Sequence, residues 1–318
     1  MSAPVRHILK FSDLSKDEVM RIIDCAKLLK AHPEKFEDRM HRETLLMLFE
    51  KPSLRTRVSF ETGMTQMGGH AIFYSVADSP LGKKETFGDT GKVLSRMVNV
   101  VMARLNKRTD IRQLADNSTI PIINALDDFA HPCQMLADLL TIIEKKGKVE
   151  GLTLAYCGDL RNNVTYDLMR LASVMGFTIN VAGPEGPGYS PEEEVLEECK
   201  ELCAKSGGAV HVFTKCAEEA VTGADVVYCD SWMSYGIPAD ESKSRIEKFM
   251  PFQVTGAVMS KAKPDAIFMN CLPAARGMEQ TAEVIDGPQS VVFDEAENRL
   301  HAQKALLLFL CNKKMTIE

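Results

Sequence analysis

The chain has 318 residues, 45% of them hydrophobic and 26% charged, with a formal net charge of -6. At about 150 residues per domain this is enough for two cores. The acidic balance excludes a protein whose main partner is a nucleic-acid backbone, since that binding draws on clustered Lys and Arg, and no apolar run approaches the roughly 20 residues of a membrane span. The 9 cysteines are scattered, with neither a C-x-x-C pair nor a His cluster at metal spacing, so reduced thiols are expected, with no metal and no cofactor. The first residues, Met1 to His7, lack the pattern of a secretory or transit segment, and a cytoplasmic protein is expected.

Short β-branched or apolar runs alternate with helical patterns, the grammar of parallel α/β layers. Leu45–Phe49 reads as a buried strand, followed by a loop and a helix through Phe60 and Met64. Val98–Ala103 and Ile120–Ala125 repeat the theme, and a helix from about His131 to Lys146 ends at Gly147. The same grammar restarts with Leu152–Cys157, a loop at Gly158-Asp159 and a helix from about Val164 to Met175. Ile179–Ala182, Val210–Phe213, Val226–Cys229 and Ala266–Met269 are further strands, and an apolar helix from about Glu297 to Leu310 closes the chain. Two doubly wound parallel-sheet domains joined by helices are the expected architecture.

In open parallel sheets, ligands sit beyond the carboxyl ends of the strands. Past the first run comes Glu50-Lys51-Pro52-Ser53-Leu54-Arg55-Thr56-Arg57. Ser53 stands as a helix cap, so free N–H groups, two hydroxyls and two guanidinium groups crowd one helix tip, a composition suited to a phosphate dianion. The same residues also fit a capped helix with solvated arginines. Past later runs come Arg104, His131-Pro132-Cys133-Gln134, Asn162-Asn163, Asp230 to Gly236, and Asn270-Cys271-Leu272-Pro273. Each stands where a strand delivers side chains to a cleft. A dinucleotide-binding or regulatory protein is the competing class, but its G-x-G-x-x-G is not supplied by Gly158-Asp159-Leu160-Arg161-Asn162-Asn163.

Phe49 to Glu61 together with His131-Pro132-Cys133-Gln134 resembles the aspartate/ornithine carbamoyltransferase family, and the resemblance spans nearly the whole chain. Asp230-Ser231-Trp232-Met233-Ser234-Tyr235-Gly236 and Cys271-Leu272-Pro273 resemble its ornithine branch, and Asp294 to Arg299 closes the series. The aspartate branch carries H-P-L-P where this chain has Cys271-Leu272-Pro273. The resemblance implies a carbamoyl phosphate-binding domain over 1–147, with a helix of about 297–318 packing back on it, and an amino-acid domain over 148–296. It implies that Ser53, Leu54, Arg55, Thr56 and Arg104 hold carbamoyl phosphate together with His131, Gln134, Cys271, Leu272 and Arg299. Asn163, Asp230, Ser234 and Tyr235 would hold the acceptor, with Arg104, His131, Asp230 and Cys271 nearest the chemistry.

Ornithine is the implied acceptor, with putrescine, a modified ornithine or another diamino acid as the alternative. Putrescine has no α-carboxylate, so Asn163 and Asp230 favour an amino acid. A homotrimer with shared sites is implied as well, Lys83 or Lys84 reaching a neighbouring subunit's site. The chain departs from the ornithine-branch pattern at Tyr235, where Met is usual, at Asn270, where His is usual, and at Pro80, where Gln or His is common.

Overall fold

The computed structural model describes residues 5–77, 79–233 and 242–317. The chain folds as two compact units, Met1–Leu140 with Glu297–Glu318, and Thr141–Ala296.

In the first unit, β1 (Thr44–Phe49), β2 (His70–Ser75), β3 (Val100–Arg104) and β4 (Ile122–Leu126) form a four-stranded parallel sheet in the order β2-β1-β3-β4. The helices are α1 (Lys16–Ala31), α2 (Leu54–Gln66), α3 (Phe87–Leu94), α4 (Arg108–Asp116) and the start of α5 (Pro132–Lys146). Leu46, Leu48, Val101, Ala103 and Ile122 are buried in a common core with Ile111 and Leu114 of α4. Continuous burial along β1 and β3 explains why both read as unbroken apolar runs. The edge strand β2, His-Ala-Ile-Phe-Tyr-Ser, is largely exposed and is absent from the expected strands, although Ile72, Phe73 and Tyr74 are strand-forming types. Expected strands at Leu45–Phe49, Val98–Ala103 and Ile120–Ala125 appear with ends shifted by one or two residues.

In the second unit, β5 (Thr153–Cys157), β6 (Thr178–Ala182), β7 (Ala209–Phe213), β8 (Val226–Cys229) and β9 (Ile267–Met269) form a five-stranded parallel sheet in the order β7-β6-β5-β8-β9. Around it lie α6 (Asn163–Met175), α7 (Glu193–Ser206), α8 (Ala217–Val221), α9 (Ser242–Phe249), α10 (Gly256–Met259) and α11 (Ala282–Ile285), and α12 (Val292–Leu310) starts here. A Cβ on Gly183, just past β6, would lie 2.2 Å from the Gly158 carbonyl oxygen past β5, so only glycine lets these strand ends close up. Arg170 of α6 is fully enclosed and donates to Asp167 at 2.9 Å and to Glu198 of α7 at 3.0 Å.

Each sheet reverses its winding once, between β1 and β3 and between β5 and β8. A crevice opens where successive crossovers leave in opposite directions, which makes these two points the default ligand sites. Among the described residues no helix is long and apolar enough to cross a membrane.

Candidate active site

At the first reversal β1 leads into α2. Ser53 caps that helix: its hydroxyl accepts the Thr56 N–H at 3.4 Å and donates to Thr56 Oγ1 at 3.1 Å. The N–H groups of Leu54 and Arg55 belong to the first turn, which has no intrahelical acceptors, so they remain available to an anion. The Leu54 side chain is 75% exposed and can contribute only through its backbone. The Arg55 guanidinium is half-buried and makes no hydrogen bond or ion pair with any described residue.

Arg104, buried, is the last residue of β3, at a register shift where it pairs with Leu126 rather than the next residue in step. Such an irregularity re-aims a side chain at a strand end. His131 is buried immediately ahead of α5, whose first residue is Pro132. The approach to it is shaped by Asp127, whose Oδ1 accepts the Phe129 and Ala130 N–H groups, both at 2.7 Å. Arg299 of α12 donates to Gln134 Oε1 at 2.7 Å, to Thr56 Oγ1 at 3.2 Å and to Gln303 Oε1 at 2.9 Å. Gln303 Nε2 then donates to Ser59 Oγ at 2.6 Å, and Gln134 Nε2 to Asp138 at 2.8 Å. The first unit therefore brings Ser53, Arg55, Thr56, Arg104, His131, Gln134 and Arg299 to one end of its sheet.

Positive charge accumulates there. Burial, then the guanidinium groups of Arg299, Arg104 and Arg55, hold the His131 imidazole well below its ordinary value of 6.5, so it is neutral at pH 7. Lys51 is lowered by burial and by Arg104, which marks it as a further member of the cluster that sequence reasoning passed over. Lys83 and Lys84 lie on an exposed turn whose N–H groups donate to the Pro80 carbonyl.

At the second reversal β8 delivers Asp230. Its Oδ2 accepts from Asn162 Nδ2 at 2.9 Å and its Oδ1 from the Cys271 thiol at 3.3 Å. Burial raises the Asp230 carboxyl, and donors from the Ser231 backbone, Cys271 and Asn162 oppose that rise. Asn162 also caps α6, its Oδ1 accepting the Val164 N–H at 2.7 Å, and Asn163 is the first helical residue. Asn163, expected to hold the acceptor, stands beside Asn162, which makes the bond to Asp230. Asp159 pairs with Arg245 of α9, which also donates to the Trp232 carbonyl at 2.6 Å. Cys271 and Leu272 follow β9, with Leu272 at φ 56°. Ser234 and Tyr235 lie outside the described residues.

A cluster of cationic groups at a helix tip on one unit and a carboxylate held by an amide and a thiol on the other suit the two ends of a group transfer. Residues 6–144 match the family "Aspartate/ornithine carbamoyltransferase, carbamoyl-P binding domain", and residues 150–310 match its Asp/Orn binding domain. The chain belongs to the aspartate/ornithine carbamoyltransferase family. It is 46% identical over 309 residues to the ornithine carbamoyltransferase of Caldicellulosiruptor saccharolyticus, covering 96% of this chain and 99% of that one. The solved ornithine carbamoyltransferase of Pyrococcus furiosus superposes with a TM-score of 0.91 at 45% identity, covering 97% of this chain and 98% of that one. A solved N-acetyl-L-ornithine transcarbamylase superposes with a TM-score of 0.86 at 29% identity, over 95% of this chain and 99% of that one. In this carbamoyltransferase-family chain, the amino-acid match runs to residue 310, whereas from Glu297 the chain folds with the first unit. The family's second sequence segment thus supplies Arg299 to the first unit's cluster.

The neutral His131 has a measurable consequence. The unfolded chain protonates this residue below about 6.5 while the folded chain resists, so stability falls as pH drops through that value, with a limiting slope of about 1.4 kcal/mol per pH unit. Urea titrations at pH 7.5 and 5.5 should show His131→Gln losing about 1 kcal/mol less than the parent chain over that interval. His7 and His301, also lowered by burial, act alike in both proteins and cancel in the difference.

Proposed function

We propose that the chain transfers the carbamoyl group of carbamoyl phosphate to the side-chain amine of L-ornithine, giving L-citrulline and phosphate. The observation that carries the acceptor assignment is identity: 46% to an ornithine carbamoyltransferase over nearly the full length of both chains, against 29% to the N-acetyl-L-ornithine enzyme. Residues 1–140 with 297–318 serve as the carbamoyl phosphate half, and residues 141–296 as the amino-acid half.

In this reading Ser53, Thr56, Arg55, Arg104 and the Leu54 and Arg55 N–H groups hold the phosphate. His131, neutral, donates to the carbamoyl carbonyl oxygen without adding charge, and Gln134 and Arg299 orient that end. The carbonyls of Cys271 and Leu272 accept from the carbamoyl NH₂. Asp230 pairs with the acceptor's α-ammonium, joined by Ser234, while Asn163 and the Tyr235 backbone donate to its α-carboxylate.

The acceptor's side-chain amine, ordinarily near the lysine value of about 10, is favoured in its neutral form by removal from water. Its lone pair attacks the carbonyl carbon as the C–O bond to phosphate breaks. Negative charge develops on the carbonyl oxygen and then on the departing phosphate, facing Arg104 and the helix tip, so the stabilisation is electrostatic and preorganised. The departing phosphate accepts the proton shed by the attacking nitrogen. No covalent enzyme intermediate is involved. An assay across ornithine, acetylornithine, putrescine, lysine and aspartate should show ornithine preferred; faster turnover of putrescine or aspartate would refute the acceptor assignment.

The chain works as a cytoplasmic homotrimer, with Lys83 or Lys84 completing a neighbouring subunit's site. Support comes from exposed apolar side chains on α2 and β2, Leu54 at 75%, Val58 at 51% and Phe73 at 37%, of the kind that a subunit contact covers. Sedimentation should give the mass of three chains, and Val58→Asp should shift it to one chain with loss of activity. A monomeric, fully active parent chain would refute the assembly.

A further inference from the structure

The turn carrying Cys271 rests on a buried polar layer that the roles above leave unused. Asn270 and Gln280 are both 0% exposed. Asn270 Oδ1 accepts the Leu272 N–H at 2.8 Å, spanning the turn from inside, and its Nδ2 donates to Gln280 Oε1 at 3.3 Å. Gln280 Nε2 donates to the Ala275 carbonyl at 3.3 Å, while the Ala275 N–H donates to Glu279 at 3.1 Å. On the strand side, the Asn270 N–H donates to Glu295 Oε2 at 3.0 Å, and Glu295 Oε1 accepts the Tyr228 hydroxyl at 3.1 Å. Residues 271–275 are therefore pinned from beneath at both ends.

The pinning matters because of what the turn presents. Leu272 occupies the left-handed region, at φ 56°, which costs a non-glycine residue about 1 kcal/mol and persists only where surrounding bonds impose it. The side-chain acceptor two residues upstream is the bond that does so here, the Asx arrangement open to Asn at such a position. The same turn carries the Cys271 sulfur, which lies 3.3 Å from Asp230.

We propose that Asn270, braced by Gln280, is a positioning residue that sets the aim of the Cys271–Leu272 turn for the transfer step. This rests on the function proposed above. Asn270→Ala should lower kcat for citrulline formation roughly tenfold to a hundredfold, the usual effect of misplacing a reacting group by about an ångström. The KM for ornithine and the affinity for inorganic phosphate, a ligand of the first unit, should stay within about twofold. Asn270→Ser, whose hydroxyl can still accept from the residue two along, should recover most of kcat. A second readout does not depend on the acceptor: alkylation of Cys271 by iodoacetamide, followed by peptide mass, should quicken in Asn270→Ala as the thiol leaves Asp230. Should Asn270→Ala fail to fold, Gln280→Met, of similar volume, carries the same expectations.

Unchanged kcat and unchanged Cys271 reactivity overturn the proposal, as does a kcat loss matched by equal loss of phosphate binding. A parent chain inactive toward ornithine refutes the function instead, and the alkylation rates then decide the positioning role alone.

Discussion

Arg55→Ala abolishes measurable carbamoyl phosphate binding and leaves thermal unfolding of the free chain nearly unchanged: this is the result expected from the helix tip. The guanidinium makes no hydrogen bond or ion pair with any described residue, so its removal costs the fold little. In the complex it supplies paired charge-assisted bonds of about 1.5–3 kcal/mol each, or about 3–6 kcal/mol in all, which is roughly a hundredfold to ten-thousandfold in affinity. Titration calorimetry with phosphate, alongside thermal unfolding, checks both halves. Retained binding would remove the helix tip from the site.

Asp230→Asn should act on the opposite substrate. The carboxylate is the only anionic group placed here against the acceptor's α-ammonium, and losing one partner of a close charge pair costs about 2–5 kcal/mol, or tens to thousands of times in kcat/KM for ornithine. Phosphate affinity should not change. The fold should tolerate the substitution, because burial already disfavours the charged form of Asp230 and a neutral amide lifts that penalty. One oxygen still serves Asn162 or Cys271, while the new NH₂ faces the other donor. Equal loss for both substrates would mean that the subsites have been interchanged.

How far these sites could be read from sequence depended on the range of the forces that make them. Strands such as Leu45–Phe49 and Val226–Cys229 were legible because parallel strands buried on both faces must be apolar throughout. Ser53 was legible because a cap acts on residues three positions away. β2 was missed although Ile72-Phe73-Tyr74 are strand formers, because an exposed edge strand shows neither the unbroken apolar run of a central strand nor a clean alternation. α12 begins at Val292 rather than at about Glu297; the β-branched and aromatic types Val291-Val292-Phe293 mask its first turn. Gln303 went unnoticed for another reason. Gln303 meets Ser59 across 244 positions, and no spacing rule anticipates a buried amide whose partner is so distant. Asn162 was seen only as part of a pair, and geometry alone separates its bond to Asp230 from the tip position of Asn163.

The Arg170, Asp167 and Glu198 triad has a bearing on how the two halves respond to their surroundings. Arg170 and Asp167 are sealed from water and Glu198 is only partly exposed, so salt screens these charges weakly, and they hold α6 against rolling about its axis in brine as in dilute buffer. At the helix tip Ser53 and Arg55 are only half-buried, so the cell's potassium and chloride weigh more on the grip for the phosphate ester than on the anchoring of α6.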